Sequence, residues 1–297
     1  MKTTLLVTIL LILGRPGTAL AQIDFTGDWR AVQHEDTFAR GGVLIGEYVG
    51  LPLTPGGRLR AESWTASLLT VPEHQCIPHP VTYAEHSYAM NQMRVWSIVD
   101  PATAKIVAIR KRGTWMEPER TIWLDGRPHP PASALHTWQG FSTGRWQGNM
   151  LTVRTTHIKA GHLQMNGVTI SDETTMTEHF IRRGNYLTNI TVLNDPVYLT
   201  ESFVRSSTWV LDPRLQFVRY PCGPNEVVVE IPRPPGAVPH ILPGQNTMIT
   251  DFASHYGLSL EASGGGAETM YPEFMEKMKG QKVATPLAAP AAATAAR

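Results

Sequence analysis

The feature that most restricts the fold of this chain is a series of short, two-residue alternations between residues 92 and 211, interrupted by turn dipeptides. Residues 140–158 read as a hairpin, GFSTGRW followed by NMLTVRTTHI, with Gly148-Asn149 in its turn. Residues 174–182 and 186–193 read as another around Gly184-Asn185. Glycine and asparagine tolerate the positive φ of tight hairpin turns, and β-branched and aromatic side chains suit a pleated, half-buried surface. Further strands are predicted at 25–33, 92–99, 104–112, 113–124 and 198–211, with a Pro-rich crossing at 126–137. Frequent strands joined by short turns specify a mainly β fold, an antiparallel barrel or sandwich.

The flanking segments have a different character. Residues 1–21 have the form of a secretory signal peptide: Lys2, an apolar run from Leu5 to Leu13, and a small-residue cleavage site at Ala19-Leu20-Ala21. The run is shorter than the roughly 20 apolar residues a bilayer span needs. The mature chain is therefore expected outside the bacterial cytoplasm, periplasmic or secreted, with no membrane span. Residues 22–220 form the β domain, with an inserted helix and loop at 55–90. The helix is predicted over 55–71, with Leu59, Ser63, Ala66 and Leu69 at helical spacing, and 72–86 reads as Pro-broken loop. Residues 221–282 read as a Pro-rich wrapping arm carrying short helices near 246–256 and 268–279, and 283–297 as a disordered Ala/Pro tail.

Charge and cysteine content narrow the function classes. The chain has 26 basic and 25 acidic residues, and the leader holds only two of the basic ones, Lys2 and Arg15. So balanced a chain lacks the basic excess of a nucleic-acid partner. The two cysteines, Cys76 and Cys222, are expected to form one disulfide in an oxidising compartment. Closing so long a loop stabilises by about 4–5 kcal/mol in the chain-entropy view. No Gly-x-Ser-x-Gly elbow, phosphate loop, His-Glu-x-x-His or haem-attachment motif is present. His74, Cys76 and His79, with His86 beyond, have spacing that suits a metal, but a disulfide at Cys76 leaves only His74, His79 and His86 as weak candidates. No cofactor is otherwise predicted.

Alternation selects the candidate site. In 150–158, Leu151, Val153, Thr155 and His157 share the more apolar face, which is expected to turn inward and to carry His157 with it. By the same reasoning Glu178 follows Met176 and Phe180, and Glu201 follows Leu199 and Phe203. An inward imidazole beside inward carboxylates is an acid–base set, although a hydrogen-bonded polar plug fits the pattern equally. The densest cluster, 119–138, holds Arg120, Asp125, Arg127, His129 and His136 with Trp123 and Trp138. Arg127 there suits an anionic group, unless it simply pairs with Asp125 or Glu119.

Residues 119–157 resemble a large, poorly characterised family of bacterial exported proteins. The resemblance rests on Asp-Gly-Arg-x-His-Pro at 125–130, Thr-Trp-x-Gly-x-Ser-x-Gly-x-Trp-x-Gly at 137–148 and Thr-Glu-x-Phe at 177–180. The pieces VPEHQC (71–76), NDPVYLTE (194–201) and GGAETMYPE (265–273) are similar to a subgroup. The resemblance implies a lipocalin-like antiparallel barrel and carries over Asp125, Arg127, His129, Trp138, Ser142 and Glu178; His157 matches only the subgroup. It implies no reaction. The leading expectation is an exported enzyme acting on a small organic substrate by acid–base chemistry of the lyase, isomerase or hydrolase type. His157, Glu178, His129 and Asp125 would be its catalytic groups, and Arg127, Arg120, Trp123, Trp138, Ser142 and Glu201 would hold the substrate. The alternatives are a non-catalytic binder of a small amphipathic ligand, with Trp96, Trp123 and Trp138 lining its pocket, and a structural envelope protein.

Overall fold

The computed structural model describes residues 23–32, 44–64, 76–88, 92–114, 116–164, 166–218, 241–242 and 244–286, with the side chains of 86–88 left out. Among these residues the chain is mainly β. Nine strands close a barrel: β1 (Gly27–Val32), β2 (Gln92–Val99), β3 (Ile106–Gly113), β4 (Glu119–Trp123), β5 (Phe141–Gln147), β6 (Met150–Thr156), β9 (Thr175–Arg183), β10 (Tyr186–Asn194) and β11 (Phe203–Leu211). Closure removes the exposed sheet edges that invite aggregation. A separate two-stranded hairpin, β7 (Gly161–His162) and β8 (Thr169–Ile170), lies between β6 and β9 in sequence.

Both predicted hairpins form, β5–β6 and β9–β10. Every barrel pairing is antiparallel except β4–β5, where residues 124–140 cross over and the two strands run parallel. The predicted strand at 198–211 is shorter. It begins at Phe203, and residues 198–202 form a loop that buries Leu199 and is tied down by a bridge between Leu53 and Leu199.

The helices depart further from expectation. The first, α1, covers only Pro55–Glu62. Thr54 caps it by accepting from Gly57 N, and Pro55 occupies its first turn, where a missing N–H costs nothing. Leu59, at helical spacing with Ser63, is 51% exposed, and Gly57 and Ala61 are the buried positions of the helix. The expected loop at 72–86 contains a second helix, α2 (Val81–Tyr88), whose residues 81–85 are all buried. Of the C-terminal helices, α3 (Thr247–His255) matches the one expected near 246–256; α4 (Leu260–Ser263) was not expected; and the helix expected over 268–279 divides into a 3₁₀ turn at Ala267–Met270 and α5 (Pro272–Met278). The Pro-rich arm at 219–240 and the tail from 287 lie outside the described residues.

Two apolar clusters sandwich the site. One fills the barrel: Phe25, Trp29, Met93, Val95, Ile109, Ile122, Leu151, Val153, Phe180, Leu187 and Trp209, with Ala84 of α2. The other lies against α1, α2 and the β7–β8 hairpin and includes Val81, Ile158, Ile170, Met176, Leu193 and Leu199. Because Ala84 belongs to one cluster and Val81 to the other, α2 joins both.

Candidate functional site

Between the two clusters the inward-facing positions turn polar. Arg120 on β4 is 1% exposed and Glu178 on β9 is 0% exposed. Arg120 donates from Nε to Ser142 Oγ at 3.0 Å, from Nη1 to Glu85 Oε1 at 2.8 Å and from Nη2 to Thr155 Oγ1 at 2.7 Å, and Nη2 also bonds Glu178 Oε2. Lys111 on β3 donates to Glu85 Oε2 at 2.6 Å, and its ammonium lies 4.6 Å from the centre of the Phe180 ring. Asn189 on β10 donates to Glu178 Oε1 at 3.0 Å. Burial alone would raise the Glu85 pKa, yet the adjacent Lys111 and Arg120 charges and their hydrogen bonds hold it below the usual carboxylate value. The same ion pairs outweigh burial at Arg120 and raise its pKa. The apolar half of the interior leaves a gap of about 10 Å³ among Phe25, Ile109, Lys111, Phe180 and their neighbours, no more than a single water needs.

Alternation thus placed Glu178 on the inward face, where Ser142, carried over from the family resemblance, and Arg120, from the 119–138 cluster, share one hydrogen-bond set with it. It did not place the histidines. Leu151, Val153 and Thr155 point inward, but His157 follows the last residue of β6 with φ +57, which ends the alternation and turns the ring out. His157 joins His129 on the outer wall. The Pro131 carbonyl accepts from His157 Nε2 at 3.0 Å, and a carbonyl can only accept. With neutral rings the remaining bonds then run one way. Thr156 donates to His157 Nδ1 at 2.8 Å, His129 Nδ1 donates to Thr156 Oγ1 at 2.7 Å, and Thr143 donates to His129 Nε2 at 2.8 Å. Burial first, then the Arg154 and His157 charges, hold His129 below its ordinary value. His136 Nδ1 donates to the Ile158 carbonyl at 3.0 Å, and its ring centre lies 5.2 Å from that of His157. The acid–base set drawn from His157, Glu178 and His129 therefore does not assemble, because the barrel wall separates the carboxylate from both rings.

The remaining candidates are also outside. Asp125 and Arg127 pair with each other at 2.5 Å on the surface, and the guanidinium stacks 3.4 Å from the centre of the Trp123 ring. Trp123 and Trp96 lie on outward positions of β4 and β2. Trp138 is half-buried, with Lys159 5.0 Å from its ring centre. Glu201 is exposed in the loop before β11 rather than inward on a strand. His79 is buried and stacks on Tyr83 at 3.9 Å, while His74 and the side chain of His86 lie outside the described residues. No group of three or more potential ligands comes together as a metal site among the described residues. Cys222 lies outside them, so its pairing with Cys76 stays an expectation. No helix among them is long and apolar enough to cross a membrane.

A cleft that sequence reasoning did not foresee opens beside the barrel. It encloses about 490 Å³ between α1, the β7–β8 hairpin and the 195–200 loop, lined by Arg60, Trp64, His162, Asp172 and Tyr198 among others. The Trp64 ring meets the His162 ring edge-on at 5.9 Å, and the buried Trp64 Nε1 has no acceptor among the described residues. Gly167 adopts φ +87 under that indole, where a Cβ would come within 2.7 Å of the Trp64 Cβ. One buried carboxylate, Asp195, holds the opposite wall. It accepts from Ser171 N at 2.6 Å, Ser171 Oγ at 2.9 Å, Thr174 Oγ1 at 2.9 Å, Val197 N at 2.9 Å and Tyr198 N at 3.0 Å. Burial would raise its pKa, but these donors together hold it low. The Asp195-Pro196 dipeptide is a turn signal, and it was the only local hint of this wall. No family model, no curated protein and no solved structure matches the chain.

Proposed function

We propose that this chain is an exported, lipocalin-like binding protein that takes a small amphipathic ligand in the cleft beside its barrel rather than inside it. The observation that carries the reading is the contrast in space between a gap of only about 10 Å³ among the apolar side chains of the barrel interior and an adjacent cleft of about 490 Å³. The cleft volume falls within the range of small-molecule sites, roughly 300–1,000 Å³. Its lining suits an amphipathic guest, with the Trp64 indole for an apolar ring and Arg60 for an anionic group. The His157 imidazole and the Glu178 carboxylate, the groups an acid–base mechanism would need side by side, instead belong to separate hydrogen-bond sets. Export and a Cys76–Cys222 bond belong to the same reading, and the mass of the secreted chain with and without reductant reports both.

The test uses anilinonaphthalene sulfonate, an anionic aromatic probe, on the folded mature chain. Saturable binding is expected, weakened at least tenfold by Trp64→Leu and unchanged by Trp96→Leu on the outer face of β2. Equal binding by all three proteins, with circular dichroism showing each folded, would sink the cleft assignment.

A further inference from the structure

Among the described residues, the polar layer inside the barrel carries unequal charge: Lys111, Arg120 and Arg205 bring three cations to it, whereas Glu85 and Glu178 bring two carboxylates. Arg120 bonds both carboxylates and Lys111 bonds Glu85. Arg205, paired on β11 with Thr191 of β10, touches neither. Its Nη2 donates to the Thr82 carbonyl on α2. Its Nη1 is buried and has no acceptor among the described residues, although the residue as a whole is partly exposed. Thr82 is itself fully buried, and its hydroxyl is likewise without a partner among the described residues.

A buried guanidinium lacking a counter-charge is costly, because desolvation is uncompensated. Water can satisfy an N–H but cannot cancel the charge, whereas one monoanion does both. Burial pushes the Arg205 pKa down to about 10 against the pull of Glu85 and Glu178, which leaves the group charged at neutral pH. Two unpaired donors, one of them cationic, in a layer with one positive charge in excess define what is missing. We infer that Arg205 Nη1 and the Thr82 hydroxyl bind a small monoanion, a halide or a compact carboxylate. The site is separate from the cleft and does not depend on the cleft's function.

The experiment follows thermal unfolding of the mature chain at fixed ionic strength, with sodium gluconate replaced stepwise by sodium bromide or, separately, sodium formate. Gluconate is too bulky for an enclosed position. A saturable rise of several degrees is expected, and its loss in Arg205→Met. A response to bromide alone assigns a halide, and a response to formate a carboxylate. A midpoint indifferent to both anions, or an equal rise in Arg205→Met, overturns the inference. Should that variant fail to fold, anomalous scattering from bromide-soaked crystals of the unaltered protein decides: a peak beside Arg205 Nη1 supports the site, and an empty position there removes it.

Discussion

Arg120 has four side-chain partners in an enclosed layer, so losing one partner and losing the whole set are unequal events. Truncating Glu178 leaves Arg120 with one carboxylate and strands the Asn189 amide, which donates to Glu178 Oε1. Breaking a buried ion pair from one side costs about 3–5 kcal/mol, whereas replacing both partners by apolar groups of similar volume is often close to neutral. Glu178→Ala is therefore expected to lose about that much in urea denaturation, and Glu178→Leu combined with Arg120→Met to lose less than either single change. A double variant as unstable as the sum of the singles would show that the network contributes stability beyond the mutual need of its charges. Ser142 is a milder case. Its hydroxyl bonds Arg120 Nε and Thr155 at 3.0 Å each, and both neighbours keep other partners when it is removed.

At the scale of elements, the parallel β4–β5 pairing depends on how the chain re-enters the barrel after residues 124–140. Gly140 makes that re-entry with φ +63, and a Cβ there would lie 2.7 Å from the Thr156 carbonyl oxygen and 2.8 Å from Thr155 Cγ2. Gly148, in the β5–β6 turn, has nearly the same φ, +62, but open space around it. Both alanine variants carry the left-handed backbone cost, roughly 1 kcal/mol, and only Gly140→Ala adds the clash. Gly140→Ala is expected to be less stable than Gly148→Ala by a further 1–3 kcal/mol or so in the same denaturant series; equal losses would mean that the crossover can shift to make room. The same distinction between local and assembled information explains what the sequence disclosed. Turn dipeptides and alternation are local, and they located both hairpins and the inward face of β9 with Glu178. His157 escaped because a positive φ at the strand end carries no local signature. Glu85 escaped because Pro78 and Pro80 were read as loop breakers, although a proline just before a helix is a start signal and Pro80 O receives the first α2 bonds, from Tyr83 N and Ala84 N at 2.9 Å. The cleft has no local code at all, since α1, β8 and the 195–200 loop meet only in the folded chain.

For the whole molecule, the shifted groups give acid denaturation two separable stages. His129 has a folded pKa below its ordinary 6.5, so folding favours its neutral form. Its contribution is complete above about pH 6.5 and declines as pH falls from there toward the depressed folded value, because the unfolded chain takes up the proton first. Glu85 and Asp195 lie below their ordinary 4.5 and 3.8. Their contributions hold above those values and are lost only as pH falls further, through their lower folded values. Urea midpoints measured from pH 8 to pH 3.5 should therefore decline gently below about pH 6.5 and more steeply below about pH 4.5. His129→Gln removes the titrating imidazole from the outer-wall chain while leaving the carboxylates untouched, so it should flatten the first stage and keep the second. A first stage that persists unchanged in His129→Gln would place the mild-acid sensitivity elsewhere, and would show that the Thr143–His129–Thr156–His157 chain accepts a proton without loss of stability.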